Sequence, residues 1–170
     1  MKRLSVLFLI LISLKVCGQK DIQATDKFVV KGEVKKEMTF SLADIEKLPS
    51  KYIGDVVITN HLGEPRGTAK QLSGILVKDL LKDLELNENS PKLFSEFYLT
   101  FIAVDHYKVV YSWNEIFNSP TGDNLYIITK RDGKKLQEMN ERILVLTPTD
   151  FKTGRRHIKG LSQIVIKRAG

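Results

Sequence analysis

Cysteine occurs once in this chain of 170 residues, at position 17, and that placement removes the cysteine-based clips on which a small domain can lean. Beyond residue 17 there is no sulfur for a disulfide, a Cys-zinc cluster or a thiolate nucleophile. The remaining chain must fold by burying apolar side chains, and a stretch of about 150 residues is long enough for one domain with a real core.

Cys17 itself closes a leader. Lys2 and Arg3 precede the apolar run from Leu4 to Leu14, the charged and hydrophobic regions of a secretory signal peptide over residues 1–18, with cleavage expected between Gly18 and Gln19. The run is too short to span a bilayer, and no later segment is long and apolar enough for a transmembrane helix. A lipid anchor through Cys17 is the disfavoured alternative, because Lys15 and Val16 stand where that signal takes small residues. The expectation is therefore a bacterial protein that is periplasmic or secreted.

Lys2, Arg3 and Lys15 account for three of the 27 basic residues, which leaves 24 against 20 acidic ones after cleavage. The remaining lysines and arginines are scattered and not interleaved with stacking aromatics, so no nucleic acid partner is expected. Residues 19–27 read as a polar, flexible segment and residues 28–170 as a single domain.

Short β-branched and aromatic runs dominate that domain. Strands are expected over 28–34, 38–40, 55–60, 97–104, 108–111, 125–129, 143–146 and 164–166. Ser41-Leu42-Ala43-Asp44 and Ser112-Trp113-Asn114-Glu115 are capping boxes that open short helices. Leu76, Val77, Leu80, Leu81 and Leu84 recur at helical spacing and predict the chain's best amphipathic helix, its apolar stripe serving as core. His61 to Thr68, with Gly63, Pro65 and Gly67, reads as an irregular loop. Asp105-His106-Tyr107 reads as a tight turn and Asp132-Gly133 as a hairpin turn. Many short strands, about three short helices and no βαβ alternation predict an α+β domain on a mixed sheet.

Taken in order, several segments resemble the molybdopterin-binding domain of the sulfite-oxidase-type oxidoreductases. They are Gly32-Glu33-Val34, Phe40 to Asp44 with Leu48-Pro49, Leu72 to Leu81, Val104 to Tyr107 with Ser112, Asp132 to Leu136, Arg142 to Pro148, and Ile158 to Ile164. The resemblance spans nearly the whole mature chain through order and spacing, and it implies a barrel-like mixed-sheet fold. It also implies a molybdenum-binding cysteine after the strand at Val56 to Asn60, where this chain reads Ile58-Thr59-Asn60-His61. Asn and His supply no comparable anionic soft ligand. The family's usual Asp-Gly-Tyr appears here as Asp105-His106-Tyr107, and the Gly that commonly precedes the Arg142 strand is replaced by Asn140-Glu141.

The resemblance puts a cofactor mouth beside His61, which reads either as a pocket residue or alternative ligand, or as a solvent-exposed loop histidine. Asp105 and His106 could form a carboxylate-oriented imidazole, although neighbours in a turn usually point apart, which favours a structural turn. Arg155, Arg156, His157 and Lys159 form the densest cationic cluster, suited to a phosphate or carboxylate, or else to blunting an edge strand. Zinc is not expected, since His61, His106 and His157 lack a ligand spacing. No Gly-x-Ser-x-Gly elbow supports serine catalysis.

The pocket implied by the resemblance would be lined by Asn60, His61, Arg66, Asp105, His106, Tyr107, Arg142, Arg155, Arg156 and Lys159, with no catalytic or metal residue assigned. The leading expectation is an exported binding or accessory module, without molybdenum catalysis, for a small anionic ligand or a periplasmic protein partner. No cofactor is expected, although the resemblance leaves molybdopterin open. The alternatives are a molybdopterin-dependent oxidoreductase with a non-cysteine metal environment and an exported protein-interaction domain with no cofactor.

Overall fold

From Phe97 to Ala103 every second side chain is buried, and this period of two organises most of what the computed structural model describes, residues 24–170. The leader, Cys17 and the start of the polar segment lie outside the described residues. Of the rest of that segment, Thr25 is buried and bridges Arg142, while the Asp26 carbonyl accepts from the Leu42 N–H.

Strands β1 (Lys27–Gly32) and β2 (Met38–Ser41) precede helix α1 (Leu42–Glu46). Strands β3 (Lys51–Thr59) and β4 (Pro65–Leu76) form a long hairpin that runs into helix α2 (Val77–Leu80). After a 3-10 turn at Pro91–Glu96 come β5 (Phe97–Ala103), β6 (Lys108–Ser112) and helix α3 (Trp113–Phe117). The chain closes with β7 (Tyr126–Arg131), β8 (Lys134–Lys135), β9 (Leu144–Leu146), β10 (Ile158–Lys159) and β11 (Leu161–Arg168).

These strands make two sheets, ordered β2-β1-β11-β5-β6 and β10-β9-β7-β4-β3, with β8 on β7. All pairings are antiparallel except β1 with β11, so the first and last strands lie side by side. Gly32 makes that closure feasible, because a Cβ there would fall 2.1 Å from the Ile166 carbonyl oxygen. Leu99, Phe101, Tyr111 and Ile164 of the first sheet share one core with Leu72, Ile75, Ile127 and Leu144 of the second. The result is a mixed, sheet-dominated α+β arrangement, with a curled half-barrel sheet and few short helices.

Both capping boxes form. The Asp44 N–H donates to Ser41 Oγ and the Glu115 N–H to Ser112 Oγ, while each acid accepts from the N–H of its serine. At Asp132 (φ 53°) and Gly133 (φ 80°) both turn residues are left-handed, the geometry of a two-residue hairpin.

Two expectations are corrected. The amphipathic helix is a single turn: Ile75 and Leu76 pair with Ile127 and Tyr126 as the end of β4, and after Leu80 the chain leaves the helix at Leu81 (φ −94°, ψ 14°) for a tighter turn in which the Leu84 N–H donates to the Leu81 carbonyl at 3.0 Å. The irregular loop is cut short at Gly63-Glu64, because Pro65 to Leu76 is a strand. Pro65 tolerates the strand's first position, where its missing N–H costs little, and three register shifts against β3 absorb the irregularity.

Candidate functional site

Three chain segments that are remote in sequence meet at one end of the sheets and enclose an open cavity of about 720 Å³. It is lined by Asn60 and His61 from the β3–β4 loop, Ala103, Asp105 and Tyr107 from the β5–β6 turn, and Gly154, Arg155, His157 and Lys159 from the stretch leading into and through β10.

The 153–155 turn is stitched to the end of β3. Thr153 Oγ1 donates to the Val57 carbonyl (2.9 Å) and accepts from the Thr59 N–H (3.0 Å), and the segments approach so closely that a Cβ on Gly154 would sit 1.9 Å from the Thr59 carbonyl oxygen. Arg155 is thereby set between two loops. Its Nε donates to the His61 carbonyl (2.9 Å), and its own carbonyl accepts from the Tyr107 hydroxyl (2.5 Å). Among the described residues no carboxylate pairs with Arg155, so its two terminal amino groups stay uncommitted beside the cavity.

Asn60 has a different task. Its amide oxygen accepts from the N–H groups of Leu62 (2.9 Å) and Glu64 (3.0 Å), and its amide nitrogen donates to Glu64 Oε2 (2.7 Å), which closes the β3–β4 loop. In the β5–β6 turn Asp105 Oδ1 accepts from the Tyr107 N–H at 3.0 Å. Lys159 pairs with Glu141 at 3.4 Å. Burial, together with the positive charges of Lys159 and Arg131, pushes the His157 imidazole down to about 4 against the opposing pull of Glu141, so it is neutral at pH 7.

Six of the ten candidate residues therefore face one cavity: Asn60, His61, Asp105, Tyr107, Arg155 and Lys159. Four do not line it. Arg66 is exposed on β4 and pairs with Glu64 at 3.6 Å. His106 holds the left-handed position of its turn (φ 69°), which leaves the turn as its role and not an imidazole oriented by Asp105. Arg142, also left-handed (φ 52°), pairs with Asp26 and clamps the segment before β1. Arg156 is consumed elsewhere: it forks onto Asp150, reaches Glu115 Oε1 at 3.2 Å and lies 4.6 Å over the ring of buried Tyr111. Its hydrogen bonds to Asp150 raise an already high pKa, and burial pushes the Tyr111 hydroxyl up to about 12.

Sequence reasoning placed Arg156 beside Arg155 and left His157 out of the site. Local pattern does not separate them: Arg155 closes the 3-10 turn and Arg156 bends the chain (φ −123°, ψ 21°), so a strand-like alternation begins only at His157, with His157 and Lys159 at the cavity and Ile158 buried.

No family model matches the chain, and no curated protein matches it. Among solved structures, the crystal structure of the sulfane dehydrogenase SoxCD from Paracoccus pantotrophus matches with a TM-score of 0.63 at 11% sequence identity. The match covers 86% of this chain and 40% of that one. The fold is distantly similar to part of that dehydrogenase. At that identity the likeness concerns the fold alone. The donor set at the cavity does not suit a molybdenum centre: among the described residues there is no thiolate and no group of three or more His, Cys, Asp or Glu side chains placed to hold a metal, and Asn60 is spent on its own loop.

Proposed function

We propose that this chain is an exported binding or accessory module on a sulfite-oxidase-like scaffold, and that it holds a small anionic ligand in the cavity without molybdenum catalysis. The observation that carries this reading is Arg155. Its guanidinium is oriented through Nε by the His61 carbonyl and keeps two amino groups uncommitted beside a cavity that Lys159 also lines. A planar fork held in this way is suited to a phosphate, sulfonate or carboxylate and loses little entropy on binding it.

Calorimetric titration of the full chain with inorganic phosphate and pyrophosphate tests it. Binding is expected, and Arg155→Gln should weaken it at least tenfold, since a charge-assisted pair is worth about 1.5–3 kcal/mol. An affinity indifferent to Arg155→Gln overturns the anion site. Stoichiometric molybdenum in protein made by a cofactor-competent host overturns the non-catalytic reading in favour of an oxidoreductase.

A second reading, an interaction domain with no small-molecule ligand, draws on one observation. Fully exposed Phe151 and exposed Val57 flank a shallow hollow with Pro148. Absence of any anion binding, together with loss of a partner in Phe151→Ser, would favour it.

A further inference from the structure

We propose that the cavity's ligand is amphoteric, a small molecule with an anionic group for Arg155 and, at its other end, an ammonium or comparable donor for Asp105. This rests on the reading of Arg155 as an anion site and adds a ligand class to it.

Most charges around the cavity are already balanced by the protein itself. Lys159 is offset by Glu141, whose carboxyl burial alone would raise but which a hydrogen bond from its own backbone N–H and the charges of Arg131 and Lys159 hold below its usual range. His157 is neutral at pH 7. Arg156 is bound to Asp150 and Glu115 and does not line the cavity. What remains uncompensated is one cation, Arg155, and one carboxylate, Asp105.

Those two face the same cavity, yet they form no ion pair with each other or with any other described residue within 4.0 Å. Asp105 is held as firmly as Arg155. Its Oδ1 accepts the Tyr107 N–H at 3.0 Å, which leaves Oδ2 uncommitted, and the hydroxyl of the same tyrosine bonds the Arg155 carbonyl. Tyr107 thus ties the Asp105 carboxylate to the backbone of Arg155, whose guanidinium the His61 carbonyl orients. A plain anion at Arg155 would sit in the field of Asp105 with nothing to offset it. A ligand carrying opposite charges at its two ends satisfies both groups at once.

Phosphoethanolamine and monoethyl phosphate make the decisive pair, since they share the phosphate and differ in the ammonium; β-alanine and propionate repeat the comparison for a carboxylate. Calorimetry on the full chain should show the amphoteric member binding about three- to fivefold tighter, the scale of one solvent-accessible ion pair. In Asp105→Asn that ratio should fall to about one, while Arg155→Gln should weaken both members. Asn keeps the acceptor for the Tyr107 N–H, and an unchanged melting curve would show that the turn persists. Equal affinity for the two members in the unaltered chain, or a preference that survives Asp105→Asn, overturns the amphoteric ligand and leaves the anion site standing. Failure of both members to bind overturns the anion site and this inference with it.

Discussion

His106 shows how a single position can look functional for a structural reason. It occupies the left-handed corner of the β5–β6 turn with φ 69°, donates its N–H to the Ala103 carbonyl at 3.0 Å and does not line the cavity. A side chain at that φ costs free energy that glycine avoids. His106→Gly should therefore leave ligand binding intact and shift stability by no more than about 1 kcal/mol, in the stabilising direction if relief of strain outweighs the added freedom of the unfolded chain. Urea unfolding measures the stability, and a loss above about 2 kcal/mol would mean that the imidazole makes contacts beyond the turn. Arg156 teaches the complementary lesson. Its guanidinium binds Asp150 and Glu115 and covers Tyr111, so the most basic-looking pair in the chain is divided between a site and a structural clamp.

The 153–155 turn is the element on which the site depends. It adds no strand to either sheet, yet Thr153 ties it to Val57 and Thr59, and Gly154 presses against the Thr59 backbone. Since the contact is backbone on backbone, an added methyl group has no flexible side chain to displace. Gly154→Ala should cost about 1–3 kcal/mol, the range for forcing an extra methyl into a packed site. It should also lower ligand affinity, because Arg155 moves with the turn. Parallel melting and calorimetric measurements would check both effects, and an unchanged affinity at reduced stability would detach Arg155 from this stitching. Long-range pairing also explains why the amphipathic pattern after Gly74 does not begin as a helix before Val77. Ile75 and Leu76 gain more from pairing with β7 than from extending α2, since both are buried on the sheet.

For the molecule as a whole, acid should be the first stress to tell. His157 is half-buried between the cavity wall and the core, with Lys159, Arg131 and Glu141 as its charged neighbours. In the folded protein it takes a proton only near pH 4, whereas the unfolded chain does so near 6.5. Between those values the unfolded state holds the extra proton, so stability falls as the pH drops from 6.5 towards 4, by up to about 3 kcal/mol. His157→Gln should flatten that decline above pH 4.5, before the carboxylates contribute. Denaturant unfolding across this range would show it, and identical slopes in the two proteins would remove His157 as the cause.

Much of the architecture is local in origin and so was legible in the chain. Ser41 and Ser112 cap the helices that they announce, Asp132-Gly133 makes its hairpin, and Phe97 to Ala103 alternates as a strand must, because each depends on hydrogen bonds and steric limits within a few residues. The absence of a cysteine thiol beyond Cys17 is equally a matter of sequence, and it bears directly on what the cavity can bind. Three things were decided only by the tertiary structure: the strand hidden behind Pro65 and Gly67, the parallel union of β1 with β11, and the assignment of Arg155 but not Arg156 to the cavity. The first depends on pairing across the hairpin, Ile58 with Gly67 and Thr59 with Pro65, and the other two on groups dozens of residues away, Ile166 for Gly32 and Glu115 for Arg156. Local pattern carries no information about which distant surface a side chain will meet, and at this site that meeting determines which charges are left for a ligand.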